Sequence, residues 1–143
     1  MATLHVERVI AATPERVFDW LADPGSIASV PLVFTCKWVN ASAPGVGAVR
    51  RVVGAGVWFR EEITAYDPPH GYSYLILRAF PPIDHDGGTL TFTPEGSGTR
   101  VDWDSTYRHP ARAGGKALEL VTAPLLRSNF ATILAKCAQA LEG

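Results

Sequence analysis

The chain has 143 residues, 47% hydrophobic and 19% charged, with four Trp, four Tyr and six Phe; this suits one domain, 1–143, with enough apolar side chain to bury a core, and excludes a disordered chain. Thirteen basic and fourteen acidic residues give a net charge of −1, which leaves no electrostatic footprint for nucleic acid or an anionic membrane surface. The two cysteines, Cys36 and Cys137, lack CxxC spacing; they exclude a disulfide scaffold and an all-thiolate zinc site, and read as reduced thiols.

At the N-terminus, Met1 to Arg8 lacks an apolar stretch behind a positive head, and no later run approaches the roughly 20 apolar residues of a membrane span. The expectation is a cytoplasmic protein without stable membrane insertion. Thr3 to Ala12 is rich in β-branched residues and reads as a strand. Thr13-Pro14-Glu15-Arg16 then starts a helix, with Thr13 as N-cap and Pro14 at the first helical position. Val17, Trp20 and Leu21 recur at helical spacing, Asp23-Pro24-Gly25 ends that helix, and Ser26 to Val30 reads as a second short one. From Val33 to about His109 six β-rich runs follow: Val33 to Asn40, Gly47 to Gly54, Val57 to Tyr66, Tyr72 to Phe80, Gly88 to Pro94 and Thr99 to Arg108. Turn residues separate them, which is the pattern of an antiparallel meander. From Ala113 to Leu141 the chain reads as a helix whose Leu126, Phe130, Ile133, Leu134, Cys137 and Leu141 form one stripe facing the sheet. Pro124 inside it predicts a kink or break and a less regular first section.

Three pieces, taken with this element order, point to a family. Ile10-Ala11-Ala12-Thr13-Pro14-Glu15-Arg16-Val17-Phe18-Asp19-Trp20, Glu61-Glu62-Ile63-Thr64-Ala65-Tyr66-Asp67-Pro68-Pro69 and Gly98-Thr99-Arg100-Val101-Asp102-Trp103 resemble the START-like, or helix-grip, superfamily in its polyketide cyclase/dehydrase-like branch. The resemblance spans nearly the whole chain. It implies an α+β helix-grip fold: a seven-stranded curved antiparallel sheet wrapped around a long C-terminal helix, two short helices after the first strand, and a cavity between sheet and helix.

Side-chain alternation then selects what lines that cavity. Val101, Trp103, Ser105 and Tyr107 share the inward face of the last strand, Leu90 and Phe92 that of the strand before it, and Phe34, Cys36 and Trp38 that of the second. Val57, Phe59, Glu61, Ile63 and Ala65 face inward against Trp58, Arg60, Glu62, Thr64 and Tyr66 outward. This puts the Glu61 carboxylate inside, where desolvation favours its protonated form and suits it to general acid or base work. A bulge or reversed parity would leave it in water instead, and Arg50 or Arg78 would make it half of an ion pair. Parity leaves the next strand open; with its tyrosine face inward, Tyr74 and Arg78 are placed to hydrogen-bond a ligand carbonyl or carboxylate. Pro81 to Gly88 reads as a loop in which Asp84 and Asp86 hold His85 charged, at the cavity rim or in solvent. A metal there would require His5, His70 and His109 to converge, with no HxH or HxxxH spacing in support, and no nucleotide loop or dinucleotide fingerprint occurs, so neither metal nor cofactor is expected.

Three functions follow as expectations. The first is binding of a hydrophobic, aromatic or polycyclic small molecule in a cavity lined by Trp38, Phe59, Ile63, Phe92, Trp103, Tyr107, Leu126 and Phe130, core filling being the alternative role for Trp38, Trp103 and Tyr107. The second, implied by the resemblance, is an aromatase/cyclase or dehydratase-like enzyme in which Glu61, Tyr74, Arg78 or His85 moves protons. The third is a protein-interaction module on the outer sheet face, with Trp58, Arg60, Glu62 and Tyr66 as contacts. A monomer or homodimer with no nucleic-acid partner is expected throughout.

Overall fold

In the computed structural model, which describes residues 1–142, Thr13 Oγ1 accepts a hydrogen bond from the Arg16 amide at 3.4 Å and opens α1 (Pro14–Ala22), which buries Val17, Phe18, Leu21 and Ala22. Asp23 ends α1 and also caps α2 (Pro24–Ala28), its carboxylate accepting from the Gly25 amide at 2.9 Å. The second helix therefore begins at Pro24, ahead of the expected Ser26, because Pro24 sits in the first turn where a missing amide proton costs nothing.

The strands are β1 (Ala2–Ile10), β2 (Val33–Trp38), β3 (Val49–Gly54), β4 (Val57–Asp67), β5 (Gly71–Phe80), β6 (Asp84–Glu95) and β7 (Gly98–Arg108). They form one antiparallel sheet in the order β1-β7-β6-β5-β4-β3-β2. β6 starts at Asp84, so most of the expected Pro81 to Gly88 loop is strand, paired to β7 through a bulge between His85 and Gly87.

α3 (Gly115–Glu142) runs through Pro124 without the expected break. The carbonyl that loses its partner there belongs to Leu120, which is 79% exposed, so water can serve it. α3 packs mainly against β1, with α1 and β7 alongside. It buries Phe130, Ile133, Leu134, Cys137 and Ala138, with Leu126 and Leu141 partly buried against the core, while Leu120, Val121 and Leu125 stay exposed. Phe18 anchors the other end of the core, edge-on to Tyr66 and Phe92, each at 5.3 Å, and to Tyr72 at 5.7 Å. Among the described residues, no helix is long and apolar enough to cross a membrane.

Strict alternation holds on β7 and over most of β6: Val101, Trp103, Ser105, Tyr107, Leu90 and Phe92 are all buried. On β4 it holds from Phe59 to Ile63, while Val57, expected inside, is exposed at the strand's start; after Ile63 the register slips against β5 and Thr64 becomes an extra residue. Ala65 is thereby exposed and Tyr66 turned in against Phe18, the reverse of the expectation for both. Phe34, expected inside with Cys36, is 64% exposed; β2 is an edge strand, and its register shifts between Val33 and Thr35.

Candidate functional site

The inner face of the sheet carries polar groups at its centre. A cross-strand row places Trp38 opposite Arg50, Arg50 opposite Glu61, and Glu61 opposite Ile76. Glu61 does point inward, as half of an ion pair: Arg50 Nε donates to Glu61 Oε1, and both side chains are buried. Burial lowers the Arg50 pKa, but the adjacent Glu61 carboxylate outweighs it and raises the pKa above its ordinary value, so the guanidinium is charged. Nearby, burial pushes the Cys36 thiol up to about 11 and the Tyr72 phenol up to about 12, and the Tyr72 hydroxyl donates to the Leu21 carbonyl at 3.3 Å.

A second group lies where the sheet splits. The β5–β6 ladder runs from Gly71 opposite Thr91 to Tyr74 opposite Gly88 and stops. Beyond it the His85 imidazole fills the gap: Nδ1 accepts from the Ile76 amide at 3.0 Å, so Nε2 carries the proton and donates to Ser105 Oγ at 3.0 Å. The imidazole stacks on Tyr74 with ring centres 5.5 Å apart. The Tyr74 phenol accepts from Trp103 Nε1 at 2.9 Å, and burial raises its pKa. His85 is therefore neutral and half-buried, a correction of the charged, solvated His85 expected between two acids. Desolvation lowers its pKa to about 4 against the opposing pull of Asp86, while Asp84 turns away to Arg108 at 3.5 Å.

This has a consequence for pH. The folded pKa of His85 lies below its ordinary value of 6.5, so the unfolded chain binds more protons between those values. The stability His85 contributes is fully present above pH 6.5 and is lost as pH falls towards 4. Denaturant unfolding across that window is expected to show a steeper loss for the wild type than for His85→Gln, whose amide can make both hydrogen bonds without titrating. Equal slopes would refute the neutral assignment.

Gly88, at the start of an expected β-rich run, has a packing role that its place in the sequence does not show. A Cβ on it would lie 2.2 Å from Tyr74 Cζ and 2.5 Å from the phenol oxygen, so only glycine lets the tyrosine ring lie across β6. Arg78, expected beside Tyr74, is not: Leu77 is an extra residue in the β4–β5 register, which puts Arg78 opposite Arg60, exposed on the outer face.

A third set was also missed. His109 Nδ1 donates to the Pro82 carbonyl at 2.7 Å, leaving Nε2 to accept from Thr122 Oγ1 at 2.9 Å. The Thr122 oxygen in turn accepts from the Tyr107 hydroxyl at 2.9 Å. This chain ties α3 to the end of β7. Its only sequence signal was a polar residue, Thr122, in an apolar helix.

The apolar wall is centred on Trp103, whose indole stacks on Phe130 at 4.0 Å with 7° between planes. Ile63, Phe92 and Tyr107 are buried around the inner face, and Trp38, Phe59 and Leu126 are half-buried. The Phe130 ring thus occupies the place beside the Trp103 indole, on the wall where a ligand was expected. Two surface depressions lie at Asn40 to Ala48 and where the end of β4 and the start of β5 meet the middle of β6, and neither is lined by α3.

The other histidines are engaged elsewhere: His5 with Asp104 at 2.7 Å and His70 with Asp67 at 3.5 Å. His5, Glu7 and Asp102 bring ligand-type atoms within 4.8 Å of one another, but on the outer face, where Arg100 pairs with both carboxylates. Cys36 and Cys137 are buried free thiols; burial pushes Cys137 up to about 12, so both are packing residues at neutral pH.

A family model described as polyketide cyclase/dehydrase and lipid transport matches residues 1–142. Among solved structures, the chain is similar to TTHA0849 from Thermus thermophilus, with 26% identity and a TM-score of 0.79 over 96% of this chain and 95% of that one. XoxI from Bacillus cereus shares the fold at 19% identity and a TM-score of 0.72, over 99% and 96% of the two chains. So does the protein solved as the Aha1 dimer from Colwellia psychrerythraea, at 14% identity and a TM-score of 0.72, over 99% and 97%. No curated protein sequence matches the chain.

Proposed function

The chain belongs to the polyketide cyclase/dehydrase and lipid transport family of START-like proteins, and from that premise we propose that it binds one hydrophobic small molecule, aromatic or polycyclic, between the inner sheet face and α3. The observation that carries this reading is the Trp103–Phe130 stack. A flat apolar ligand can replace Phe130 against the indole, exchanging one ring contact for another at little cost. The hydrogen-bonded Tyr74, Ser105 and His85 then lie beside it to orient a polar end. Phe130 is in this reading a plug that holds the site closed when no ligand is present.

Binding is favoured over proton transfer because Glu61, the strongest acid–base candidate, is already neutralised by Arg50. The test is titration with the neutral probe N-phenyl-1-naphthylamine, followed by its emission. Trp103→Phe is expected to weaken binding roughly tenfold, and Trp58→Phe, altered on the outer face, to leave it unchanged. The reverse ranking, or no binding by the wild type, would overturn the reading.

A further inference from the structure

The register assembles on the outer face a feature that the net charge conceals. Lys37 lies opposite Arg51, Arg51 opposite Arg60, and Arg60 opposite Arg78, so four cations stand side by side across β2, β3, β4 and β5. All four side chains are exposed. Among the described residues, the arginine ion pairs involve Arg50, Arg100 and Arg108 and none of this row. At the usual strand spacing of about 4.8 Å the row spans roughly 14 Å.

Like charges directly opposite each other destabilise a sheet, and here three such pairs follow in succession. The β1–β7 half of the outer face behaves differently: His5 pairs with Asp104, and Arg100 with Glu7 and Asp102. Acidic residues are thus gathered at one end, and the cations at the other are left uncompensated. The carboxylate flanking the row on this face is Glu62, two residues beyond Arg60 on β4. On its other side runs an apolar row, Val53 opposite Trp58 and Trp58 opposite Phe80, with Phe80 57% exposed.

We propose that the outer face of β2 to β5 docks reversibly on an anionic lipid surface. The cations supply attraction that grows with each charge near the surface and fades within a Debye length. Trp58 and Phe80 supply side chains suited to the headgroup boundary. The face is the convex side of a curved sheet, a ridge where a single-stranded nucleic acid requires a groove to track. This inference does not depend on the ligand proposed for the inner face, and it revises the expectation, drawn from net charge alone, that no such footprint exists.

Vesicle flotation of the full chain tests it, using phosphatidylcholine alone or mixed with phosphatidylglycerol. Association is expected with the mixed vesicles only, and is expected to vanish at high salt. Arg51→Gln/Arg60→Gln should weaken it roughly 30-fold, while leaving the melting temperature unchanged or raised, because repulsion within the row is relieved. Loss of binding therefore cannot be confused with loss of fold. Lys116→Gln, an exposed change at the start of α3, should have no effect. No association with anionic vesicles, equal association with both kinds, or an undiminished double variant would overturn the proposal. So would stronger binding to a single-stranded oligonucleotide than to the vesicles, which would make this a nucleic-acid face.

Discussion

Glu61→Gln should lower the unfolding free energy by about 3–5 kcal/mol, which for a chain of this length lowers the melting temperature by roughly 10–15 °C. The cause is the group left behind. Arg50 is 8% exposed and its charge is held in place by the carboxylate opposite it; with an amide there, a guanidinium remains in a low-dielectric interior with no counter-charge. Arg50→Met should be similarly damaging, because it strands the carboxylate. The double variant Arg50→Met/Glu61→Leu should recover most of the loss, since an apolar pair of similar volume avoids both desolvation penalties. A double-mutant cycle by chemical denaturation reads this directly, as strong non-additivity between contacting residues. If Glu61→Gln instead kept wild-type stability, Glu61 would be free for proton transfer and the enzyme reading would regain its main residue.

That pair also marks how far the sequence could be read. Alternation along β4 put Glu61 inside and left Arg50 as a candidate partner, and alternation along β7 found Trp103, Ser105 and Tyr107 without error. The faces were misread just after register shifts, at Ala65, Tyr66 and Arg78. A bulge adds one residue and exchanges the two faces for everything beyond it. The extra residues here, Thr64 and Leu77, have nothing in their chemistry that announces a bulge. His85 was misread for a related reason: its sequence neighbours are acids, but its spatial neighbours are Ile76, Tyr74 and Ser105. The cationic row was invisible because it is made wholly of pairings between strands, which composition averages away. Pro124 shows the opposite failure, a breaker whose cost is met by water on the exposed side of α3.

Phe130→Ala is the change that bears most directly on the inner face, and it should cost about 3–5 kcal/mol. Phe130 is 9% exposed, and its ring is parallel to the Trp103 indole at 4.0 Å. Its removal takes away both the buried area and the stack. The two ends of the gap are firmly held: α3 by Leu134 and Cys137 in the core and by the Thr122 hydrogen bonds to Tyr107 and His109, and Trp103 by its bond to Tyr74. The helix is therefore not free to collapse onto the sheet, and the space left against the indole should stay open to a flat ligand. Indole at 100 times its dissociation constant should then restore about 2.7 kcal/mol of the lost stability, seen as a larger rise in melting temperature for the variant than for the wild type. That outcome would identify the Phe130 ring as occupying a ligand's place. A variant that loses the same stability but gains nothing from indole would mean that the gap closes on its own, and that the wall beside Trp103 is core rather than binding site.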